Sequence, residues 1–337
     1  MKNKIKLGDL VNIKTGKLDA NAAVDNGKYP FFTTSEETFK IDTYAYDDEA
    51  VLVAGNGNLN IKYFYGKFNA YQRTYILTKK ENINVNIKYI YYFLDKYLET
   101  LRSLSIGGVI KYIKLENLIN PVLDLPTIEI QNKIVEKLDT LKKILDMYRK
   151  KIDILSDFNK SLFTRIFGDI KTNDKNWEIY YWKDVLNIKN GKNQKQVEDI
   201  EGKYPIYGSG GIIGYSNAYI CNENTIIIGR KGNINKPILV KEKFWNVDTA
   251  FGLEVKKDKI SYYYLYYFCL FYDFEIHNKT VTIPSLVKSD LEKILLPIPP
   301  IELQNKFAER IEKIEKLKFD FKDFLFFKSS HYKREVA

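Results

Sequence analysis

Three short motifs in this 337-residue sequence could carry chemistry, but each lacks part of the pattern that its chemistry requires. Glu201-Gly-Lys203 has the carboxylate and amine of a nuclease metal site, but no Pro-Asp pair precedes it at a useful distance. The glycines in 208–214 do not follow Gly-x-Gly-x-x-Gly spacing, and no Gly-x-x-x-x-Gly-Lys-Ser/Thr phosphate loop occurs. Asn120-Pro121 lacks the second proline and the aromatic residue of an amino-methyltransferase motif. The sequence therefore predicts no catalytic site.

Cysteine and histidine are too scarce for other common sites. Two of each occur, Cys221, Cys269, His277 and His331, which argues against a disulfide framework and a structural zinc site. We expect no metal or cofactor on this chain. The longest uncharged apolar stretch, 261–272, is shorter than the about 20 residues of a spanning helix. No apolar segment follows the charged start, so a cytoplasmic protein without a signal peptide is expected.

The charge balance is consistent with binding to nucleic acid. Lysine and arginine number 53 against 43 acidic residues, giving a net charge of +10, and the chain holds 26 tyrosines and 20 phenylalanines. Basic side chains displace the counterions of DNA, and tyrosine and asparagine can reach bases or sugars. A lysine-rich solubilising surface encoded by an AT-rich genome would give the same composition. Charge alone leaves both interpretations open.

The strongest pattern is a duplication, in which segments of the first half recur in order about 175 residues later. Four pairs of segments match: 7–17 with 182–192, 27–31 with 202–206, 57–58 with 232–233, and 125–133 with 298–306. Because the matches are collinear and almost equally spaced, the sequence is one unit written twice.

Each copy predicts an α+β recognition domain followed by a long helix. Short strand-like runs with Gly/Asn punctuation occur at 51–54, 73–78, 225–228 and 251–255. One aromatic helix per copy, 87–98 and 261–274, is predicted to pack in the core rather than to stack on bases. The predicted boundaries are 1–124 and 173–297 for the domains, and 125–172 and 298–337 for the helices.

The two long helices, which begin near Pro126 and Pro299, carry apolar residues at heptad or helical spacing. The residues predicted to form the helix–helix contact are Ile134, Leu138, Leu141, Leu145, Tyr148, Ile152 and Leu155 in the first helix and Phe307, Ile311, Ile314 and Phe321 in the second. We expect an antiparallel intramolecular coiled coil with pseudo-twofold symmetry, about 60 Å long. The alternative is that each helix only covers its own domain.

Asn159 occupies the one gap in the first apolar series. A buried amide there would fix the register between the helices at a cost in stability. The alternative, which is slightly favoured, is that the seam widens and the amide reaches solvent.

The loops differ between the copies while the framework repeats, which predicts two different DNA half-sites and hence an asymmetric bipartite target. Asparagine suits adenine edges, arginine suits guanine, and glycines in the loops would allow close approach. The DNA-binding candidates are Lys14, Lys17, Ser35, Asn56, Asn58 and Arg73 in the first copy and Lys189, Lys192, Lys195, Ser209, Arg230, Lys231 and Asn233 in the second. The lysines could hold phosphates or be ordinary surface residues. Arg230 is the strongest single candidate for reading a base.

The whole chain resembles the specificity subunit of type I restriction-modification systems. The resemblance rests on Pro126-Thr-Ile-Glu129-Ile-Gln131 and Pro299-Pro-Ile-Glu302-Leu-Gln304 at the helix starts, and on the Gly-Lys-Tyr-Pro and Gly-Asn elements. It implies a non-catalytic subunit whose domains each read half of a split double-stranded DNA target, with the helices as a ruler.

The same resemblance implies partners that carry the catalysis. These are two methyltransferase subunits using S-adenosylmethionine and, for cleavage, restriction subunits that use ATP and Mg. Two rival interpretations remain open from the residues: a coiled-coil scaffold for protein interactions, and a recognition subunit that serves a different restriction effector.

Overall fold

The computed structural model of the chain describes residues 3–256, 259–278, 280 and 283–335. The chain divides into two compact units, one made of residues 1–149 and 324–337 and the other of residues 150–323. None of the helices in the described segments has the length and hydropathy needed to cross a bilayer. Helices and strands mix in both units, which confirms the predicted α+β class.

The first unit begins with a mainly β region and ends in a long helix. Its elements are β1 (Asn3–Lys6), α1 (Leu7–Leu10), β2 (Val11–Thr15), a 3-10 turn (Ala20–Ala22), β3 (Tyr29–Phe32), β4 (Phe39–Ile41), β5 (Tyr46–Ala54), β6 (Ile61–Ala70), β7 (Thr74–Lys79), α2 (Ile87–Leu104), α3 (Glu116–Ile119), β8 (Val122–Leu125) and α4 (Ile128–Phe167), of which residues 128–149 belong to this unit.

A six-stranded sheet in the order β2-β7-β5-β6-β3-β4 forms the body of the first domain, and β1 pairs with β8 beside it. Val51 and Val53 on β5 are fully buried because α2 covers this face of the sheet. On α2 the fully buried residues include Ile90, Leu94 and Leu101, which recur at helical spacing. The aromatic segment of the sequence thus supplies core packing, as predicted.

The second unit repeats this order of elements. It contains β9 (Glu178–Tyr181), α5 (Trp182–Val185), β10 (Leu186–Asn190), β11 (Tyr204–Gly208), β12 (Gly211–Ser216), β13 (Thr225–Gly229), β14 (Ile238–Val240), β15 (Trp245–Asn246), β16 (Ala250–Val255), α6 (Tyr262–Phe271), a 3-10 turn (Phe274–His277), α7 (Lys288–Leu291), β17 (Leu295–Ile298) and α8 (Ile301–Glu335), of which residues 301–323 belong to this unit, with residues 150–167 of α4.

The two copies differ in one long strand. β6 is continuous over ten residues and joins β5 to β3 in a single sheet. Its counterparts in the second domain are the short β14 and β15, which residues 241–244 separate. The second domain therefore has two sheets, β10-β16-β13-β14 and β12-β11-β15, besides the β17-β9 pair.

The aromatic helix of the second copy is shorter than predicted but serves the predicted purpose. α6 ends at Phe271, and the 3-10 turn follows after Asp273. Tyr264 and Phe268 are almost completely buried with Trp182 in the second core. Because so little of this helix reaches solvent, its rings cannot serve as a base-stacking platform.

The glutamine of the repeated Pro-x-x-Glu-x-Gln motif ties each long helix to its own domain. Gln131 is fully buried, accepts a hydrogen bond from the Asn86 backbone N–H at 2.9 Å and donates one to the Pro126 carbonyl at 2.8 Å. Gln304 repeats this in the second unit, accepting from Ser261 N–H at 2.8 Å and donating to the Pro299 carbonyl at 2.7 Å. Asn86 and Ser261 are the N-caps of α2 and α6, so one side chain joins two helix starts.

The long helices run antiparallel where they pack within the second unit. Phe163 of α4 contacts Phe307 of α8, with ring centroids 5.7 Å apart, and Lys151 lies over the Phe321 ring at 5.8 Å. As the residue number falls on α4 it rises on α8, which is the order that antiparallel helices require. In the first unit, Tyr148 contacts Phe324, with a centroid distance of 4.5 Å.

Part of the predicted seam faces a domain instead of the other helix. Leu138 is fully buried in the first core, and Ile134 and Leu141 pack against the same core, because the start of α4 lies on the domain that precedes it. Leu145 is buried, whereas Ile152, Leu155 and Ile314 are half-buried. Both Phe307 and Ile311 are fully buried in the second core, so they serve the domain as well as the helix pair.

The favoured interpretation of Asn159 is wrong. Its side chain is completely buried between α4 and α8, and its Nδ2 donates to Glu315 Oε1 at 3.0 Å. Lys318 Nζ approaches the same oxygen at 2.8 Å. The amide is held inside the seam because the partner helix offers it a carboxylate there.

Candidate nucleic-acid interface

In the first domain, three chain segments meet at one edge of the large sheet. The turn after β5, residues 55–58, is called the first reading turn. Its Gly55 N–H donates to the Arg73 carbonyl at 2.8 Å, and the Gly55 carbonyl accepts from Ile113 N–H at 2.9 Å. Gly57 N–H donates to the Lys111 carbonyl at 2.9 Å. These bonds place the β6–β7 turn and the loop after α2 directly beside Asn56 and Asn58.

The β3–β4 turn, residues 33–38, is a fourth segment at this edge. Asn58 Nδ2 donates to Glu36 Oε1 at 2.9 Å, and Asn60 Nδ2 donates to the Thr34 carbonyl at 2.8 Å. Lys62 holds the turn from below by donating to the carbonyls of Ser35 and Glu37. Burial lowers the pKa of Lys62, an effect that Glu36 opposes. One N–H of the Asn58 amide is therefore engaged by Glu36, and its second N–H and its Oδ1 are the groups through which it could contact a base.

The second domain builds the same arrangement around residues 230–233, the second reading turn. Arg230 N–H donates to the Thr249 carbonyl at 2.8 Å, and the Arg230 carbonyl accepts from Leu286 N–H at 2.9 Å. Gly232 N–H donates to the Pro284 carbonyl at 3.0 Å. These three bonds repeat those of Gly55 and Gly57, so Gly55 and Arg230 occupy equivalent positions.

The β11–β12 turn approaches the second reading turn as the β3–β4 turn approaches the first. A side chain at Gly210 would begin 3.6 Å from Asn233 Nδ2, and one at Gly232 would begin 3.9 Å from Ser209 Oγ. The structure thus gathers Ser209, Arg230, Lys231 and Asn233, all from the sequence prediction, into one cluster. The first-domain cluster contains Ser35, Asn56, Asn58 and Arg73.

The two clusters carry their arginines on different segments. Arg73 is exposed on the β6–β7 turn, where the second domain has Asp248 and Thr249. Arg230 is exposed on the second reading turn, where the first domain has Gly55. Arg230 Nη1 donates to the Asp248 carbonyl at 3.3 Å, which leaves its other donors available for a ligand. One scaffold therefore presents a guanidinium from two different places.

The glycines do not all serve the predicted purpose. A Cβ at Gly55 would lie 2.5 Å from the Arg73 carbonyl oxygen, and one at Gly229 would lie 2.6 Å from the Asn233 carbonyl oxygen. These glycines admit the protein's own backbone, so for them the prediction of close DNA approach is wrong. Gly57 and Gly232 have φ of +70° and +78° and open space around them, so they shape the exposed turns.

The predicted phosphate-binding lysines are only partly gathered. Lys17 follows β2 beside the β6–β7 turn, because Leu18 bridges Tyr71. Lys192 holds the same place in the second domain, where its N–H donates to the Asn246 carbonyl at 3.0 Å. Both lysines are exposed.

The other lysines lie further from the reading turns. Lys14 is exposed on β2 opposite Ile76, and Lys195 lies in an exposed turn formed by residues 195–197. Lys189 lies on β10 with its Nζ 3.8 Å from Glu254 Oε2. Since this carboxylate offsets its charge, Lys189 is the weakest phosphate candidate of the set.

Among the residues that the structure describes, the groups needed for metal-dependent or thiol chemistry are not assembled. No group of three His, Cys, Asp or Glu side chains there could hold a metal. Both cysteines are buried, and burial raises the pKa of the Cys221 thiol to about 12, so it is no nucleophile. Exposed cations and amides beside left-handed turns are suited to phosphates and base edges.

Sequence reasoning missed the loop after each aromatic helix. Residues 106–113 and 283–286 contribute the Lys111 and Pro284 carbonyls to the reading turns. The available signal was the pair Gly107-Gly108 followed by an apolar tip, which is unusual in an otherwise charged chain. The repeated motif includes Gln131 and Gln304, but its pattern does not indicate that their side chains are buried and join two helix starts.

The chain also matches the model of a known protein family. Residues 2–156 and 174–323 match the family described as "Type I restriction modification DNA specificity domain". The chain belongs to this family. The specificity domain is present in two copies, which is the duplication seen in the sequence and the fold.

Individual relatives point the same way. The EcoDI specificity subunit of Escherichia coli is 38% identical over 164 residues, which is 48% of this chain and 36% of that protein, so the match spans about a third of the relative. The MjaVIII specificity subunit of Methanocaldococcus jannaschii is 22% identical over 365 aligned positions, covering 93% of this chain and 86% of that protein.

Solved structures of specificity subunits share the fold. The S subunit of a type I restriction-modification system from M. genitalium covers the whole chain with a TM-score of 0.69 at 18% identity, and 95% of that subunit is matched. A chain from a study of type I complex assembly and conformational transition matches with a TM-score of 0.54 at 13% identity, covering 99% of this chain and 96% of its own.

Proposed function

We propose that this chain is the DNA-reading subunit of a type I restriction-modification complex and that each domain reads one half of an asymmetric bipartite target. The observation that carries the proposal is the set of three backbone hydrogen bonds that is repeated around Gly55 and Arg230, while the side chains on these turns differ between the two domains. Equal scaffolds should approach DNA in equal poses, and unequal side chains should select unequal bases.

The guanidinium positions support two different half-sites. Each cluster consists of a reading turn and the turns hydrogen-bonded to it. Among these residues, the first cluster has one guanidinium, from Arg73, and the second has one, from Arg230. Arginine pairs bidentately with guanine O6 and N7 in the major groove. A guanine read from the β6–β7 turn and one read from the turn after β13 would lie at different places in their half-sites.

The long helices are proposed to set the gap between the half-sites and to dock the methyltransferase subunits. Exposed apolar residues in the second unit support docking: Ile154 and Phe158 lie four positions apart on α4 and are 66% and 52% exposed. That spacing places them on one face of the helix. An apolar stripe of this kind on a charged helix is typical of a protein-binding surface.

Catalysis belongs to the partners in this proposal. Two methyltransferase subunits would supply S-adenosylmethionine, and restriction subunits would supply ATP and Mg chemistry. The chain itself is proposed to be non-catalytic, which fits the two clusters: their candidate residues are cations, amides and hydroxyls, and no group of three His, Cys, Asp or Glu side chains among the described residues could hold a metal.

Mapping of methylated adenines tests the proposal. The chain is expressed with its proposed partner methyltransferase in a host that lacks adenine methylation, and modified adenines are located by sequencing. The expected result is a motif with two unlike specific halves, separated by a gap of fixed length. A palindromic motif, or one continuous specific stretch, would contradict the proposal.

A further inference from the structure

A short hairpin in the first domain exposes apolar residues to solvent beside the first reading turn. Residues 106–112, here called the tip hairpin, are closed by paired backbone bonds between Ile106 and Tyr112, at 2.9 and 2.8 Å. Val109 at its end is fully exposed and Ile110 is 62% exposed. Leaving several large aliphatic groups on one loop in water is unfavourable unless something covers them in use.

The tip hairpin is fixed to the first reading turn. The Lys111 carbonyl accepts from Gly57, Ile113 donates to Gly55, and Asn56 forms a β-bridge with Tyr112. Ile113 itself is 3% exposed, so the hairpin is anchored in the domain core directly behind its exposed end. Ile110 therefore lies one residue from the carbonyl that holds Gly57, the residue between Asn56 and Asn58.

The second domain repeats the same exposed residue. Ile283 precedes Pro284, Ser285 and Leu286 as Ile110 precedes Lys111, Tyr112 and Ile113. Ile283 is 60% exposed, Leu286 is 1% exposed, and Ser285 bridges Lys231 as Tyr112 bridges Asn56. Residues 279, 281 and 282 lie outside the described residues. Each domain thus offers an exposed isoleucine directly before the residue, Lys111 or Pro284, whose carbonyl accepts from the glycine of its reading turn.

The surroundings of these isoleucines favour DNA over a protein groove. Lys111 follows Ile110 directly, and Arg230 and Lys231 lie on the turn that is hydrogen-bonded to residues 284–286. A partner covered by phosphates with an apolar interior suits cations that flank an aliphatic tip. The base stack of a duplex is such an interior, and aliphatic wedges are known to enter it between base steps.

We propose that Ile110 and Ile283 are wedges that insert into the base stack of bound DNA, one at each half-site, next to the bases contacted by the reading turn. This inference rests on the proposed function. The wedge would separate adjacent base pairs. Unstacking of this kind is part of the free-energy cost of flipping an adenine out of the helix for methylation, and insertion of the wedge would offset that cost.

The test uses the chain in complex with its methyltransferase and duplexes that carry the mapped target. Each duplex has 2-aminopurine in place of one purine of a half-site other than the methylated adenine, so that its fluorescence reports local unstacking. Wild-type complex is expected to raise the fluorescence at one position in each half. Ile110→Ser is expected to return the fluorescence in one half-site to that of the free duplex and to leave the other half-site unchanged. Ile283→Ser is expected to do the same in the other half-site.

Ile200→Ser is the matched control. Ile200 is 96% exposed and lies before β11, whereas the turn at Ser209 follows the other end of that strand. The five residues of β11 span about 16 Å between its two ends. The substitution removes an even more exposed isoleucine from the same chain and is expected to leave both signals unchanged. Because Ile110 and Ile283 are exposed, their variants are expected to keep the wild-type melting temperature, which verifies folding.

Three outcomes would overturn the wedge. Bound wild-type complex without increased fluorescence would show an intact stack. Weakened binding in Ile110→Ser that is reproduced by replacing thymine with uracil would mean contact with thymine methyl groups in the groove. Loss of the methyltransferase from the DNA-free complex would mean a protein contact. Failure of wild-type complex to bind the duplex at all would instead refute the proposed function.

Discussion

Arg230 and Arg73 illustrate what single residues contribute to this interface. Their backbones belong to equivalent pairs of hydrogen-bonded turns, but the arginine lies on one turn in the first domain and on the other in the second. The sequence predicted both residues as candidates, because arginine suits guanine and because the second copy has Asp248-Thr249 where the first has Arg73. It could not predict that Asn58 would be engaged by Glu36, since that contact joins residues 22 positions apart.

Replacing Arg230 tests base reading directly. Arg230→Ala is expected to cost about 1–3 kcal/mol of binding to the specific target and to relax one base position in one half-site. Arg230→Lys keeps the charge but loses the bidentate fork, so it is expected to relax the same position. Methylation profiles and competition binding measure both. Uniform weakening on all sequences, restored by lysine, would mean a phosphate contact instead.

Gln304 is a structural residue whose loss should be felt in stability. Its side chain is fully buried and satisfies Ser261 N–H and the Pro299 carbonyl. Gln304→Ala leaves these buried groups without partners, so it is expected to lower the free energy of unfolding by about 1–3 kcal/mol. Asn305→Ala, the exposed neighbour on the same helix, is the control in chemical denaturation. Equal effects of Gln304→Ala and Asn305→Ala would contradict a structural role of the Gln304 hydrogen bonds.

At the scale of elements, sequence patterns predicted the two long helices, the two aromatic helices and the strands β5, β7, β13 and β16. The predicted runs 51–54 and 225–228 lie within β5 and β13, where their side chains are buried. The break between β14 and β15 was not predictable, since no proline or glycine marks residues 241–244. Likewise, a heptad series cannot say which of its residues face a domain, as Leu138 does.

Asn159 gives a prediction for the helix pair. Its Oδ1 is buried without a hydrogen-bond partner in the described structure, while Glu315 keeps Lys318 as a second partner. Asn159→Leu is therefore expected to raise the free energy of unfolding by about 1 kcal/mol. Asn159→Asp would place a carboxylate beside Glu315 and is expected to lower it by about 3 kcal/mol. Denaturation of both variants measures the difference; a destabilised leucine variant would contradict this account of the seam.

At the scale of the whole molecule, the duplication carries the account. It was visible in the sequence because the Gly-Lys-Tyr-Pro, Gly-Asn and Pro-x-x-Glu-x-Gln segments recur at nearly constant spacing. Their structural reasons differ: Gly57 and Gly232 shape turns, and Gln131 and Gln304 join helix starts. The bases that the turns select depend on side-chain poses against DNA, which a single sequence does not encode in any readable pattern.

The most direct test of the central claim is to make both domains the same. In a variant whose residues 173–297 are replaced by a second copy of residues 1–124, the two reading turns become identical. Adenine methylation mapped with the partner methyltransferase is then expected to follow a palindrome, built from one wild-type half-site and its inverted repeat. Methylation that keeps the asymmetric wild-type motif would contradict the claim that each domain reads its own half.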